Sequence, residues 1–220
     1  MFSSRFKAIL SFLDVKDKMI DVGTDHAYIP IKMAQKKAKN ILATDIHPKA
    51  LESAKKNIKQ FGFEKEIKTM VTDGLKNIDT NFYDTLIIAG MGTSTIIKIL
   101  SEKEKLKPIK KIILQSNNDL EKLRKFMNAN NFSLEKEKIV KENDKYYVVM
   151  CYSVGEQTMT KAELFLGFYN SQNIDYYRFL LMKYQKIIDA IANNDYHKKV
   201  DYQEKVNLIK SYLQKEDGIV

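Results

Sequence analysis

Through the first 156 residues, short apolar runs that read as strands alternate with segments whose apolar residues recur at helical spacing. That alternation leaves few folds open, because repeated strand–helix units give a parallel sheet covered by helices on both faces. The strand-like runs are KMIDVG (18–23), ILATDI (41–46), EIKTMVTDG (66–74), YDTLIIAG (83–90) and KKIILQS (110–116). RFKAILSFL, YIPIKMAQKK, PKALESAKKNIKQFG, TSTIIKILSEKEKL and NDLEKLRKFMNANN read as helices. Pro48 suits a first helical position and Gly62 a stop, and the Thr93–Ser94 pair offers caps for its helix. FSLEKEKIV and KYYVVMCYSV then flank KEND, which reads as a hairpin.

A terminal antiparallel hairpin on a parallel sheet matches the seven-stranded arrangement of Rossmann-like class I methyltransferases, last strand antiparallel, better than that of most dehydrogenases. This is a fold-level analogy and carries no chemistry by itself. After Gly155 the strand signals vanish, and from Thr160 to Lys215 there is no Pro and no Gly beyond Gly167. AELFLGFYNSQ, DYYRFLLMKYQKIIDAIANN and VDYQEKVNLIKSYLQKE read as helices. Leu180, Leu181, Tyr184, Ile187, Ile188 and Ile191 form one apolar stripe, suited to a coiled-coil-like hairpin. The expected organisation is therefore an α/β domain over residues 1–156 and an all-α helical domain over 157–220. Tyr176, Tyr177, Tyr184, Tyr196 and Tyr202 either pack between these helices or stack on bases.

The charge is uneven. The chain carries 37 basic and 28 acidic residues, of which 9 and 8 lie from Gln157 onward, leaving 28 against 20 before it. A basic first part fits a polyanionic partner such as nucleic acid, although a Lys-, Asn- and Ile-rich composition without Trp also fits an AT-rich genome. No run approaches the roughly 20 apolar residues of a membrane span, so a cytoplasmic protein is expected. The single cysteine, Cys151, excludes an internal disulfide and a Cys-only metal site, and its strand pattern makes it a core residue. His26 and His47 have no second cluster at ligand spacing, so no metal is expected.

Ligands of such sheets bind in the crevice at the carboxyl ends of the strands. Asp21, Gly23, Thr24 and Asp25 follow the first strand, Asp45 ends the second, Asp73 and Gly74 follow the third, and Ala89–Thr93 follow the fourth. Asp45 stands at the distance from Gly23 at which a carboxylate accepts hydrogen bonds from a ribose. NAD and S-adenosylmethionine both have that ribose. The first loop separates them: a pyrophosphate lies against amide N–H groups at a helix N-terminus, and Asp25 there would repel it. S-adenosylmethionine carries a sulfonium and an ammonium, which carboxylates suit. Asp73 can accept from an adenine amino group. Gly90 and Gly92 around Met91 give a close-approach backbone where the methyl acceptor would sit. Gln115, Asn117 and Asn118 either read a base edge or cap a helix.

Together, DVGTDHAYIP, ATDIHPKALESAKKNI, VTDGL, DTLIIAGMGT and ILQSN with Leu123-Arg124 resemble the bacterial TrmK family, tRNA (adenine(22)-N1)-methyltransferases. The resemblance covers residues 1–156 in order and continues into the helical tail. Thr93, where relatives often have glycine, and Ser116, where proline is usual, depart from it. It implies a cofactor site for S-adenosylmethionine made of Asp21, Gly23, Thr24, Asp25, His26, Asp45, Ile46, Asp73 and Gly74, with Gly90 near the acceptor. Asp25 and Tyr28 would serve the reaction, with tRNA as the partner and the helical tail helping to hold it. A monomer is the default expectation, with a dimer through the tail as its alternative. Two other classes stand beside this reading: a methyltransferase of another RNA, a small molecule or a protein, and a catalytically silent RNA-binding module.

Overall fold

The computed structural model describes residues 3–191 and 195–215. The chain divides into two compact units, Met1–Gln157 and Thr158–Val220.

The first unit holds a seven-stranded sheet of β1 (Met19–Val22), β2 (Ile41–Asp45), β3 (Ile67–Val71), β4 (Thr85–Met91), β5 (Lys111–Ser116), β6 (Phe132–Glu142) and β7 (Lys145–Val154). Their order is β3-β2-β1-β4-β5-β7-β6. The first five pair in parallel, and β7 enters antiparallel between β5 and β6. All four residues of β1 are buried, as are most of β4 and β5. Burial on both faces explains why these strands read as continuous apolar runs rather than alternating ones. Helices α1 (Ser4–Leu10), α2 (Tyr28–Gln35), α3 (Pro48–Phe61), α4 (Thr93–Leu100), α5 (Lys103–Leu106) and α6 (Leu120–Ala129) complete the unit. Pro48 opens α3 and Gly62, at φ 73°, stops it, so the two punctuation residues act as their chemistry predicts. At the β6–β7 turn Asn143 and Asp144 adopt φ 48° and 58°, a left-handed pair that polar Asx residues tolerate and that matches the twist of a tight hairpin.

Two expected helices are interrupted. The 93–106 segment is two helices: α4 ends where the Ser101 hydroxyl turns back to the Ile97 carbonyl (2.7 Å), and the chain restarts as α5. The cap of α4 also differs from expectation. Gly92 occupies the cap position, and the Asn118 side chain, from beyond β5, accepts from the Thr93 amide at 2.9 Å. The two departures from the family pattern meet here, for the Thr93 and Ser116 hydroxyls lie 2.8 Å apart and hydrogen-bond one another.

In the second unit, α7 (Lys161–Leu166) starts on a Thr160/Glu163 capping box and ends at Gly167, so the 162–172 segment is α-helical only to Leu166 and resumes as a short 3-10 turn at Ser171–Asn173. Helices α8 (Ile174–Ala190) and α9 (Tyr196–Gln214) pack together. Leu180 and Ile188 of the stripe are buried, and Leu181, Tyr184, Ile187 and Ile191 are half-buried. Tyr177 meets Tyr212 edge-on at 5.3 Å and Tyr184 meets Tyr202 at 5.7 Å, which places these rings in helix packing; Tyr196 is exposed. The expected helix ends at 192–194 and 216 lie outside the described residues. Among the described residues no helix is long and apolar enough to cross a membrane.

Candidate functional site

The strand order reverses at β1, whose neighbours β2 and β4 lead away in opposite directions, and that switch point is where an open α/β sheet leaves a crevice. A cavity of about 600 Å³ lies there, within the range of small-ligand sites. Of the residues named from sequence, Asp21, Gly23, Thr24, Asp25, His26, Tyr28 and Gly90 line it.

The loop after β1 is fixed by its neighbours. The Gly23 and Thr24 amides both donate to the Thr44 carbonyl, at 2.8 and 2.9 Å. Gly23 sits at φ 77°, and a Cβ there would fall 2.3 Å from the Met91 Cε, so only glycine fits without a shift. Asp25 and Ala27 are also left-handed, at φ 48° and 57°. Such a backbone in a non-glycine residue is held by its surroundings. Here Ala27 is fully buried, and the preceding carbonyl of His26 accepts from Asn57 Nδ2 of α3 at 3.0 Å. The outcome is that Asp25, His26 and Tyr28 project from a turn anchored to β2 and α3, with the His26 imidazole 3.6 Å from the Asp25 carboxylate and its ring 5.4 Å from that of Tyr28.

Asp21 is different in kind. It is 4% exposed, and the Thr24 hydroxyl donates to its carboxylate at 2.6 Å. Burial pushes its carboxyl from 3.8 up to about 6, the Thr24 bond opposes that rise, and the negative charge of Asp45 adds to it. A carboxylate that is costly to ionise inside the apo protein is relieved by a bound cation.

Asp45, Ile46, Asp73 and Gly74 sit at the ends of β2 and β3, outside the cavity lining. The Asp45 carboxylate accepts from the His47 amide at 2.8 Å, and Ile46 is exposed. Asp73 holds two ammonium groups, Lys76 at 2.7 Å and Lys98 at 3.5 Å; the Lys76 bond leads in holding its carboxyl below the usual range. Gly74, at φ 64°, lies against Ile99, whose Cγ1 would be 3.1 Å from an added Cβ.

Sequence reasoning missed one wall. Ser3, Arg5, Phe6 and Ile9, from α1 and its cap, line the cavity with Ile29, Ala89 and Gln115. The amphipathic pattern of α1 was visible; its place beside β6, β7 and α2 was not. Gln115, a candidate from sequence for a base edge or a helix cap, lies within β5. It is fully buried, its Oε1 accepts from the Gly90 amide (3.1 Å) and Arg5 Nη1 (3.3 Å), and its Nε2 donates to Asn117 (3.2 Å). Asn117 in turn donates to the Gly90 carbonyl at 2.8 Å. Among the described residues no group of three or more His, Cys, Asp or Glu side chains is placed to hold a metal.

The fold is that of a methyltransferase domain: residues 2–150 match the family described as "Methyltransferase domain", and the chain belongs to that family. A Bacillus subtilis protein named tRNA (adenine(22)-N(1))-methyltransferase is 31% identical over 157 residues, 70% of this chain and 66% of that protein, just under two thirds of its length. The structure of M. capricolum TrmK in complex with S-adenosyl-homocysteine is 29% identical, with a TM-score of 0.85 over 97% of this chain and 98% of that one. A protein of the NADB-Rossmann superfamily from Streptococcus agalactiae is 27% identical, with a TM-score of 0.90 over 97% of each chain. The resemblance to TrmK read from the strand-end loops is borne out.

Proposed function

We propose that this chain transfers a methyl group from S-adenosylmethionine to N1 of adenosine 22 in tRNA. The observation that carries the reading is the crevice itself: a buried carboxylate, Asp21, and an exposed one, Asp25, share a cavity with a glycine, Gly90, whose missing Cβ leaves open space. The likeness to TrmK through both units supports it.

The donor set fits that cofactor. Two carboxylates suit a ligand with a sulfonium and an ammonium, and they would repel a pyrophosphate. When bound, S-adenosylmethionine supplies an electrophilic methyl group. Adenine N1 has a lone pair, so the chain need not remove a proton first, and holding the two partners in line supplies much of the rate. The ring becomes positively charged as N1 is methylated. Asp25, on its anchored turn, stabilises that charge, by the logic of an oxyanion hole with signs reversed. Tyr28 and His26 offer ring faces for the base. Because N1 lies on the Watson–Crick edge, the target must be unpaired or flipped out when it reacts. The basic excess of residues 1–156 serves the phosphates, which makes binding salt-sensitive.

The test is incubation with S-adenosylmethionine and unmodified transcripts bearing adenosine or guanosine at position 22, with the methyl group mapped by nuclease digestion and mass spectrometry. Methylation at adenine N1 of the adenosine transcript alone is the expected result. Methyl transfer to both transcripts, or to neither, refutes the assignment of position 22.

A further inference from the structure

The acidic cavity contains one cation without an anion. Arg5, half-buried on α1, lines the same space as Asp21 and Asp25, yet among the described residues its guanidinium makes no ion pair. One N–H of Nη1 goes to Gln115 Oε1 at 3.3 Å, and the group lies 4.8 Å from the centroid of the Tyr147 ring. Glu142, the nearby acid, is engaged by the Arg5 backbone amide instead, at 3.2 Å. A guanidinium has five N–H donors, and among the described residues most of these have no protein acceptor.

The arrangement is held, not loose. Gln115 cannot turn away, since its oxygen also accepts from the Gly90 amide and its amide nitrogen binds Asn117. The Tyr147 ring lies against the cation at cation–π distance, a contact that guanidinium makes well. A fixed guanidinium fork with free donors is complementary to a carboxylate or a phosphate, which it binds through two parallel hydrogen bonds.

We propose that Arg5 is the oxyanion-binding residue of this cavity, so that the pocket is built for a ligand set carrying cationic and anionic groups together. Two sources offer that oxyanion: the α-carboxylate of the amino-acid part of S-adenosylmethionine, and a phosphate of the acceptor nucleotide. The proposal rests on the function proposed above for its ligands, and its test can be read even if the tRNA assignment fails.

The variant is Arg5→Gln, and the probes are S-adenosylhomocysteine, 5′-methylthioadenosine (the same nucleoside without the amino and carboxylate groups) and an unmodified tRNA transcript. Calorimetry reads the first two, and filter binding across a salt series reads the third. If the carboxylate is the source, S-adenosylhomocysteine binds about ten- to a hundredfold more weakly to the variant and methylthioadenosine binds unchanged. If a phosphate is the source, both nucleosides bind unchanged, tRNA binds more weakly, and the log–log salt slope shrinks by about 0.7 to 1. Arg5→Lys, which keeps the charge, retains that slope or part of the S-adenosylhomocysteine affinity. Unchanged binding of all three probes overturns the proposal. So does equal weakening of both nucleosides, which would show that Arg5 only supports the packing of α1. A wild-type protein that binds S-adenosylhomocysteine but no tRNA ends the tRNA reading, while the nucleoside comparison still decides Arg5.

Discussion

Replacing Asp21 with asparagine should make the apo protein gain stability relative to wild type as pH rises and should weaken its cofactor site, and the size of the first effect follows from burial. The Asp21 carboxyl is pushed from 3.8 to about 6 in the folded chain. An acid whose folded pKa is raised binds more protons folded than unfolded, so stability falls as pH rises from the unfolded value through the folded one, and the cost is complete above it. Integrated over that shift, the ionised carboxylate costs about 3 kcal/mol at pH 7.5 and about 1 kcal/mol at pH 4.5. Asparagine removes the charge but puts an amide NH₂ where an acceptor oxygen stood, a penalty of up to about 3 kcal/mol that does not depend on pH. The difference between the two pH values therefore isolates the charge. Urea unfolding of Asp21→Asn and wild type should show the variant gaining about 2 kcal/mol relative to wild type between pH 4.5 and pH 7.5. No gain, or a gain toward low pH, would refute the argument that desolvation dominates at Asp21. Calorimetry on the same samples should show weaker S-adenosylhomocysteine binding by the variant at pH 7.5, and wild-type affinity declining as pH falls through about 6.

Asp25→Asn should lower kcat about tenfold, more than it weakens S-adenosylhomocysteine binding or raises the tRNA KM, the effect being modest because the carboxylate is 69% exposed; wild-type turnover would refute the catalytic role proposed for it. Gly23→Ala should cost about 1–2 kcal/mol in urea unfolding, from its left-handed backbone and the displaced Met91 methyl, and should weaken cofactor binding; an unchanged midpoint would contradict the close approach. The fully buried Arg124 guanidinium meets Glu137 at 2.6 Å, and burial pushes the Glu137 carboxyl up against the pull of that partner. Arg124→Met should lose about 3–5 kcal/mol by stranding the acid, and adding Glu137→Leu should recover much of it; a double variant no better than the single one would show that the pair is not the cause.

Some of this molecule was written in local pattern. Apolar runs of strand length, helical spacing between them, and Pro48 and Gly62 at the ends of α3 sufficed for the sheet, because each depends on neighbours a few residues away. The acidic loop was equally legible, since the ends of consecutive parallel strands must share one edge, and Asp21, Asp25 and Gly90 duly meet at one cavity. Other features carry no periodic trace. The helix break at Ser101 depends on one side chain turning back on its own carbonyl, and the cap of α4 comes from Asn118, beyond the next strand.

The sequence alone therefore determined the class of fold and the acidic character of one strand-end loop. Tertiary structure alone decided which residues close the cavity, because Arg5 and Gln115 are 110 positions apart and meet only once α1 packs beside the hairpin. It also decided that Asp73 faces two lysines, and that the two departures from the family pattern, Thr93 and Ser116, bond to each other. Local pattern reports what a segment does against water. Contacts between distant segments depend on geometry that no single segment contains.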